Sequence, residues 1–236
     1  MNTKKLTILL AFTSLLIFSV VSKIFFNDFQ NGWDAYVKKD YKTAYELWLP
    51  LADQGDSKAQ FFLGFMHDLG FGVAEDDKEA VKWYQQAAEQ GDSRAQLFTG
   101  FIYDFGRGVA KDNQEAFKFY QLAAKGGYLQ ARTRIYDLAV KNIPQALKFL
   151  IGDAENGIAE AQFVLASMHS NEQGVPQSHQ KAFKLYQLAA TSGCPSCTTA
   201  HWSLKARKSI YNLAKKNDPQ ALKFLIDDAE NGIAEA

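Results

Sequence analysis

The chain has 236 residues, of which 47% are hydrophobic and 22% charged, and both values are ordinary for a globular protein. Its 26 basic and 26 acidic side chains give a formal net charge of zero at pH 7. The sequence therefore lacks the basic excess that nucleic-acid binding requires, and no nucleic acid is expected among its partners.

The first 22 residues resemble an export segment. Two lysines precede an uncharged, mostly apolar stretch at 6–22, which is the pattern of a signal peptide, and small residues permit cleavage before Lys23. The stretch is slightly long for a signal core and slightly short of the roughly 20 residues that span a bilayer, so a cleaved signal peptide and an uncleaved anchor both remain open. Either outcome predicts an exported protein: periplasmic, anchored in the inner membrane and facing the periplasm, or secreted.

Glycines and alanines recur along the chain at intervals of 36 residues. Gly55, Gly91 and Gly127 lie 36 residues apart, and residues 59–94 are identical to residues 95–130 at 19 of 36 positions. Self-similarity at a fixed period indicates a repeat architecture.

Each repeat has the pattern of a helical hairpin. Apolar residues recur every three or four positions on both sides of a glycine-containing loop. Asp76 and Asp112 each precede a glutamate by three residues, which predicts that they cap the second helix. Gly91 and Gly127 follow that helix, where a left-handed conformation favours glycine. Because one hairpin cannot bury both of its faces, the hairpins must stack.

A block of 31 residues occurs twice, at 131–161 and 206–236, with 25 identical positions. It is a shortened repeat, because six residues of the interhelix loop are missing. Asn142 and Asp218 are predicted to cap the second helices of the two copies. No polar capping repeat follows the second copy, which indicates either a last helix that packs on a partner or a shortened form of a longer array.

The sequence therefore predicts an all-α protein with an α/α solenoid, a superhelix of about six stacked helical hairpins, after a signal or anchor segment at 1–22. The solenoid is expected to occupy residues 23–236. Its units are expected near 31–58, 59–94, 95–130, 131–160, 161–196 and 197–236.

The stretch "LGFMHDLGFGVAEDDKEAVKWYQQAAEQGDSRAQ", 63–96, resembles the Sel-one-like repeat, a 36-residue relative of the tetratricopeptide repeat. The matching residues are Ala59, Leu63, Gly64, Gly70, Gly72, Val73, Asp76, Ala80, Trp83, Tyr84, Ala87, Ala88 and Gly91. The resemblance covers residues 31–236, most strongly 41–130 and 157–193. It implies a protein-binding scaffold or adaptor of the bacterial cell envelope, without enzymatic activity or cofactor.

Few residues point to chemistry. In an oxidising compartment, Cys194 and Cys197 favour a local disulfide. A redox centre would need a thioredoxin-like context around the two cysteines. A structural zinc site would need four ligands, and the two cysteines with His201 supply only three. Ser178 begins an S-x-x-K motif, but its place at an expected helix start favours a cap. No catalytic, cofactor or metal site is predicted.

The remaining candidate is a binding surface on the first helices, which line the concave side of stacked hairpins. Positions two, six and nine beyond the leading alanine of each repeat share one helical face. The predicted partner-binding residues there are Phe61, Phe65, Asp68, Leu97, Phe101, Asp104, Asp137 and Phe163. An apolar stripe with carboxylates suits an extended or helical peptide. The alternative is that the phenylalanines pack between neighbouring first helices.

The functional prediction is a non-enzymatic scaffold that binds a protein or peptide, with membrane contact only if the N-terminal segment is retained. Two alternatives stay open at this point. One is a cell-wall or β-lactam-interacting hydrolase, which would use the S-x-x-K motif. The other is a truncated or decayed repeat array without its own activity, which the recent duplication suggests.

Overall fold

The computed structural model describes residues 29–191, 199–216 and 218–230, with only the backbone at 199–203 and 229. The helices are α1 (29–37), α2 (Tyr41–Asp53), α3 (Ser57–Leu69), α4 (Asp77–Glu89), α5 (Ser93–Phe105), α6 (Asn113–Lys125), α7 (Leu129–Val140), α8 (Pro144–Glu155), α9 (Ala159–Asn171), α10 (His179–Thr191), α11 (Thr199–Ala214) and α12 (Pro219–Glu230). These ranges contain no strand, so the predicted all-α architecture is confirmed. The predicted segment at 1–22 lies outside them.

Contacts divide the chain into two compact units, Met1–Tyr128 and Leu129–Ala236. The first unit contains α1–α6, and the second contains α7–α12. Consecutive helices pack against each other from α2 to α6 and again from α7 to α12. In each unit the helices therefore form stacked hairpins, as a helical-repeat solenoid requires.

The predicted aspartate caps of α4 and α6 are confirmed. Asp76 accepts hydrogen bonds from two amides at the start of α4, at 2.9 and 3.1 Å, and Asp112 does so at the start of α6, at 2.8 and 3.0 Å. The hydrogen bond from the Glu79 amide, followed by that from Lys78, lowers the pKa of Asp76. The Asp76 amide donates to the carbonyl of His67, 3.0 Å away, so the cap also ties α4 to α3.

A buried glutamine links each long hairpin to the helix before it. The last carbonyls of a helix lack partners within the regular helical ladder. Three of them here accept from the amide of the glycine three residues further on, and each also accepts from a glutamine side chain. The donors are Gln60, Gln96 and Gln162, and the acceptors are the carbonyls of Ala52, Ala88 and Ala154, at 3.0, 3.2 and 3.1 Å. This contact recurs in all three long hairpins, and the sequence analysis misses it.

The first copy of the short repeat, at 131–161, packs its hairpin differently from the long repeats. In α5, a Cβ atom on Gly100 would lie 2.4 Å from the ring of Tyr120 in α6, so the glycine makes room for the ring. In the short repeat, Tyr136 of α7 takes the place of the glycine and Leu150 of α8 takes that of the tyrosine, with 1% and 0% exposed. The Tyr136 hydroxyl donates to Asp153 at 2.7 Å. The buried tyrosine therefore lies on the first helix of this short hairpin, whereas it lies on the second helix of the long hairpins.

The two copies of the short repeat begin their second helices differently. Asp218 accepts hydrogen bonds from two amides at the start of α12, both at 3.0 Å, so its predicted capping role is confirmed. The prediction for Asn142 is wrong. Asn142 has a left-handed backbone with φ of 64°, and the N-cap residue of α8 is Ile143, which makes no side-chain hydrogen bond.

Candidate partner-binding surface

The structure places three of the predicted binding residues in the core of the first unit. Phe61, Leu97 and Asp104 are only 7%, 3% and 1% exposed. Phe61 lies between α3 and α5, with its ring edge-on to Phe98 at 5.6 Å between centroids. These residues follow the alternative reading, in which side chains pack between neighbouring helices.

Phe65 and Phe101 are half-buried and occupy equivalent positions on α3 and α5. The ring of Phe98 joins them, with centroids 6.3 Å from Phe65 and 6.2 Å from Phe101. One turn further along, Leu69 and Phe105 are 45% and 59% exposed, and Phe105 stacks on Phe101 at 6.3 Å. We name Phe65, Leu69, Phe101 and Phe105 together the aromatic face.

Sequence analysis misses Leu69 and Phe105, although a signal for them exists. Both lie four residues after a predicted residue, and positions four apart share a side of an α-helix. Position two of the repeat proves to be covered, because Phe61 also packs against Tyr84 of α4, at 5.7 Å between centroids. On the first helices of the first unit, the accessible side therefore runs through positions six and ten beyond the leading alanine, and position two is covered.

Asp68 belongs to a charge network at the C-terminal end of α3. The Nη2 atom of Arg107 lies 2.7 Å from Oδ1 of Asp68 and 2.7 Å from Oδ1 of Asp77, and the Tyr84 hydroxyl lies 3.5 Å from Oδ2 of Asp68. Burial raises the pKa of Asp68, and Arg107 offsets only part of that effect. Burial likewise raises the pKa of Tyr84. Because Arg107 follows α5, the network joins two successive hairpins.

A second ion pair lies at the N-terminal end of α5. Arg94 donates to both carboxylate oxygens of Asp92, at 3.2 and 2.6 Å, and its guanidinium lies 4.4 Å from the centroid of the Phe61 ring. Burial raises the pKa of Asp92, but the hydrogen bonds from Arg94 and from the Ala95 amide outweigh it, so the pKa lies below its usual range. Arg94 and Asp92 therefore satisfy each other within the protein.

The predicted residues of the second unit lie apart from the aromatic face. Phe163 is half-buried against Tyr186, with 5.4 Å between ring centroids. Asp137 is exposed and pairs with Arg134, three residues before it, at 3.2 Å. Phe163 contributes to packing, and Asp137 forms a local surface pair.

The long repeat of the second unit carries polar residues where the first unit carries the aromatic face. Ser167 of α9 takes the position of Phe65 and Phe101, and Asn171 takes that of Leu69 and Phe105. Ser167 is half-buried, Asn171 is exposed, and the Asn171 amide group donates to the Ser167 hydroxyl at 3.3 Å. The repeat therefore folds with polar side chains at both positions.

The other predicted chemical groups give no site in the described residues. The Lys181 amide donates to the Ser178 hydroxyl at 3.3 Å, so the predicted cap of α10 is confirmed. Within 29–191, 199–216 and 218–230, no three His, Cys, Asp or Glu side chains are grouped to hold a metal ion. No helix in the same ranges is long and apolar enough to cross a membrane. Cys194 and Cys197 lie outside them.

Stacked helical hairpins that repeat every 36 residues define a helical-repeat protein, and comparison identifies its family. The Sel1 repeat profile matches residues 29–56, 57–92, 93–128 and 159–194, more than half of the chain. The chain belongs to the Sel1 repeat family, which confirms the resemblance seen in its sequence. A search of curated protein sequences gave no match.

Two solved structures are similar over most of the chain. The crystal structure of a Sel1 repeat protein from Oxalobacter formigenes is 29% identical, with a TM-score of 0.53, over 70% of this chain and 71% of that one. A protective antigen present in uropathogenic Escherichia coli strains is 24% identical, with a TM-score of 0.55, over 87% of this chain. The match covers 49% of the antigen, so this chain spans about half of that protein's length. The likeness to the antigen shows the fold alone.

Sel1 repeat proteins are protein-interaction scaffolds and are typically non-catalytic. Family membership therefore supports protein binding as the general activity of this chain.

Proposed function

We propose that this chain is an exported scaffold that binds a protein partner on the aromatic face of its first unit, on the side that is concave in stacked hairpins. The observation that carries the proposal is the exposure of Leu69 and Phe105 beside the half-buried Phe65 and Phe101. Contiguous apolar residues exposed on a soluble protein commonly mark an interaction site. Aromatic anchors also supply much of the energy in protein interfaces.

Packing accounts for Phe65 and Phe101 in part, since Phe65 packs against the buried cluster of the first unit and the Phe101 ring lies edge-on to Tyr120 at 5.6 Å between centroids. It accounts less for Leu69 and Phe105, which are largely exposed. Ser167 and Asn171 stand at the equivalent positions of α9, and that hairpin still packs around a buried core. A repeat of this family therefore folds with polar residues at both positions when they have hydrogen-bond partners, as Ser167 has in Asn171. The first unit instead keeps phenylalanine or leucine at all four positions, which favours a role in binding.

Export is the second part of the proposal, and the sequence of residues 1–22 supports it. Fusion of this segment to alkaline phosphatase, an enzyme that is active only after export, should give active enzyme. Replacement of Leu9 and Leu15 by arginine should abolish that activity, since charges in the apolar core block membrane insertion. Equal activity of the two fusions would contradict export. The N-terminal residue of the exported chain, Lys23 or Met1, distinguishes signal peptide from anchor.

The binding proposal is tested with substitutions that the chain itself uses. A variant with Phe101→Ser and Phe105→Asn reproduces the pair found in α9, so it should keep the helical circular dichroism of the original chain. Loss of a buried aromatic anchor costs about 2 kcal/mol, which is roughly a 30-fold weaker complex. Crosslinked pull-down from cell envelopes should recover a defined partner with the original chain and lose it with the variant.

The matched control is Leu122→Asn in the second helix α6. The Leu122 side chain is 43% exposed, which is similar to the 45% of Leu69. This variant should keep the partner. Recovery of the same proteins by the original chain and the aromatic-face variant would contradict the proposal. Equal losses in both variants would place the binding surface elsewhere.

A further inference from the structure

The exposed side of α11 is separate from the aromatic face, because α11 belongs to the second unit. We propose that this side of α11 is a second binding surface, and that it takes an acidic segment of a protein partner. Six exposed side chains form the surface, and we name them together the basic face: Leu204, Lys205, Lys208, Tyr211, Asn212 and Lys215.

The charge on and around α11 has one sign. Residues 173–217 contain seven lysine or arginine side chains and no aspartate or glutamate, although the whole chain of 236 residues has 26 acidic ones. Arg207 pairs with Asp228 of α12, so that cation is neutralised within the protein. Lys208 and Lys215 have no carboxylate partner among the residues that the structure describes. The basic face therefore keeps positive charge that a partner can reach.

The first copy of the duplicated block gives a reference for this charge. The two copies differ at four positions in their first helices, α7 and α11, while the buried Ala206, Ile210 and Leu213 are unchanged from α7. Three of the differences lie on the basic face, and each makes α11 more positive by one charge. These pairs are Thr133 and Lys208, Asp137 and Asn212, and Val140 and Lys215. The fourth replaces Arg134 by Ser209, which is half-buried. The core has therefore stayed the same while the exposed side gained positive charge.

Solubility alone does not account for the basic face. Stacked repeats need polar outer surfaces, but side chains of mixed sign serve that purpose. Three lysines without a carboxylate on the same side of the helix repel one another instead. Leu204 and Tyr211 also remain 71% and 49% exposed among them. Cations of one sign around exposed apolar groups favour a binding role.

The first copy also indicates the class of the partner. Thr133, at the position of Lys208, donates a hydrogen bond to Glu160 of α9, with 2.9 Å between Oγ1 and Oε1. This side of α7 therefore already contacts a carboxylate on a neighbouring helix. A partner segment seated on α11 in the same way would bring a carboxylate to Lys208, and an ammonium group binds a carboxylate more strongly than a hydroxyl does. Insertion into lipid would need a wider apolar side than Leu204 and Tyr211 provide.

Lys208 and Lys215 set the spacing that the partner must match. Two helical turns separate them, which is about 10 Å along α11. The Nζ atom of Lys215 lies 4.6 Å from the centroid of the Tyr211 ring, a contact that helps to hold the cation in place. Two carboxylates can engage both lysines if they lie about seven residues apart on a helix or about three apart on an extended chain.

The test uses a displayed library of random dodecapeptides, selected on the full-length chain and, in parallel, on a variant with Lys208→Thr and Lys215→Val. This variant carries the residues that α7 has at these positions, so it should keep the helical circular dichroism of the original chain. Peptides enriched only on the original chain should carry at least two carboxylates. Their Kd, measured by fluorescence anisotropy, should rise about 10-fold in the variant, because two ion pairs worth a few-fold each are lost. It should also rise about 10-fold or more between roughly 50 and 500 mM NaCl, since salt screens exposed charges.

The matched control is Lys181→Gln with Lys184→Gln in α10. Both lysines are exposed, and their replacement removes the same charge from another helix of the second unit. The Kd of the selected peptides should stay within about 2-fold of the original value in this control. It should also stay unchanged in the Phe101→Ser and Phe105→Asn variant, because the two surfaces are separate.

Several outcomes would overturn the assignment of the basic face. No enrichment, or enriched peptides without carboxylates, would contradict the acidic partner. Equal losses of affinity in the α10 control would mean attraction to the net charge of the unit rather than a site on α11. Sedimentation with phosphatidylglycerol vesicles provides the last comparison: vesicle binding that falls on Lys208→Thr and Lys215→Val, without enrichment of acidic peptides, would replace the protein partner by a lipid surface. None of these results bears on the aromatic face, which is tested by its own variant.

Discussion

At the scale of single residues, the neighbours of a side chain decide its role more than its type does. Phe61 and Phe65 lie one turn apart on α3, yet Phe61 is buried between helices while Phe65 reaches the surface. Sequence periodicity places both on the same broad side of the helix. Which of them is covered depends on the packing of α4 and α5, and that information is not local.

At Gly100, the neighbouring side chains reverse the usual preference for alanine over glycine in a helix. In an open helix interior, alanine is about 1 kcal/mol more favourable than glycine. At Gly100, however, the added methyl group would lie 2.4 Å from the fully buried Tyr120 ring, and overpacking costs about 1–3 kcal/mol. Gly100→Ala should therefore lower the free energy of unfolding by up to about 2 kcal/mol in urea denaturation.

The control for that prediction is Gly152→Ala in α8, where no heavy atom lies within 4 Å of the added methyl group. That substitution should raise the free energy of unfolding by up to about 1 kcal/mol. If both variants were stabilised alike, the tyrosine contact would not be the reason for glycine at position 100.

At the scale of elements, the local signals of helix termini could be predicted and the exchange of side chains between helices could not. Asp76, Asp112 and Asp218 cap their helices as their sequence context indicates. The sequence shows that Tyr136 stands at the position of the glycine, but not that Leu150 on the next helix fills the position of the tyrosine. The two substitutions compensate each other, because a large ring on one helix requires a smaller side chain on the facing helix.

The duplicated block provides a test of capping within one protein. Asp218 caps α12, whereas the equivalent Ile143 provides no side-chain hydrogen bond to α8. Asp218→Ala should destabilise α12 by about 1 kcal/mol, because two amides lose their acceptor. Amide hydrogen exchange in α12 should become faster. Asp218→Asn keeps an acceptor oxygen and should leave exchange nearly unchanged; equally fast exchange in both variants would show that the carboxylate charge matters more than the cap geometry.

At the scale of the whole molecule, the repeat period predicts the architecture well because it is set by many positions at once. Gly55, Gly91 and Gly127 alone give the 36-residue step, and all three have positive φ, between 90° and 92°. The candidate site was predicted only in part. Phe65 and Phe101 were identified, but Leu69 and Phe105 depend on which side of each first helix its neighbours leave uncovered.

Contacts between hairpins also make stability depend on pH, and Arg107 is the residue through which this can be tested. Asp68 has a raised pKa in the folded state, above the unfolded value of about 3.9. The folded state therefore binds the proton more tightly than the unfolded state does. Asp68 consequently disfavours folding at pH 7, and stability from this group rises as the pH falls through its folded pKa.

Arg107→Gln removes the cation that partly compensates Asp68 and leaves Asp77 nearby as a like charge. The variant should lose about 1–3 kcal/mol at pH 7, and less near pH 4, where an aspartate with a raised pKa is protonated and the stranded charge is relieved. Urea denaturation at both pH values measures the difference. Asp76 and Asp92, whose pKa values are lowered, weaken the fold on acidification, but they do so equally in both proteins and cancel in the comparison.

Adding Asp68→Asn to the Arg107→Gln variant should restore most of the loss at pH 7. A loss that is independent of pH and not restored by Asp68→Asn would mean that Arg107 supports the neighbouring hairpin through packing rather than through its charge.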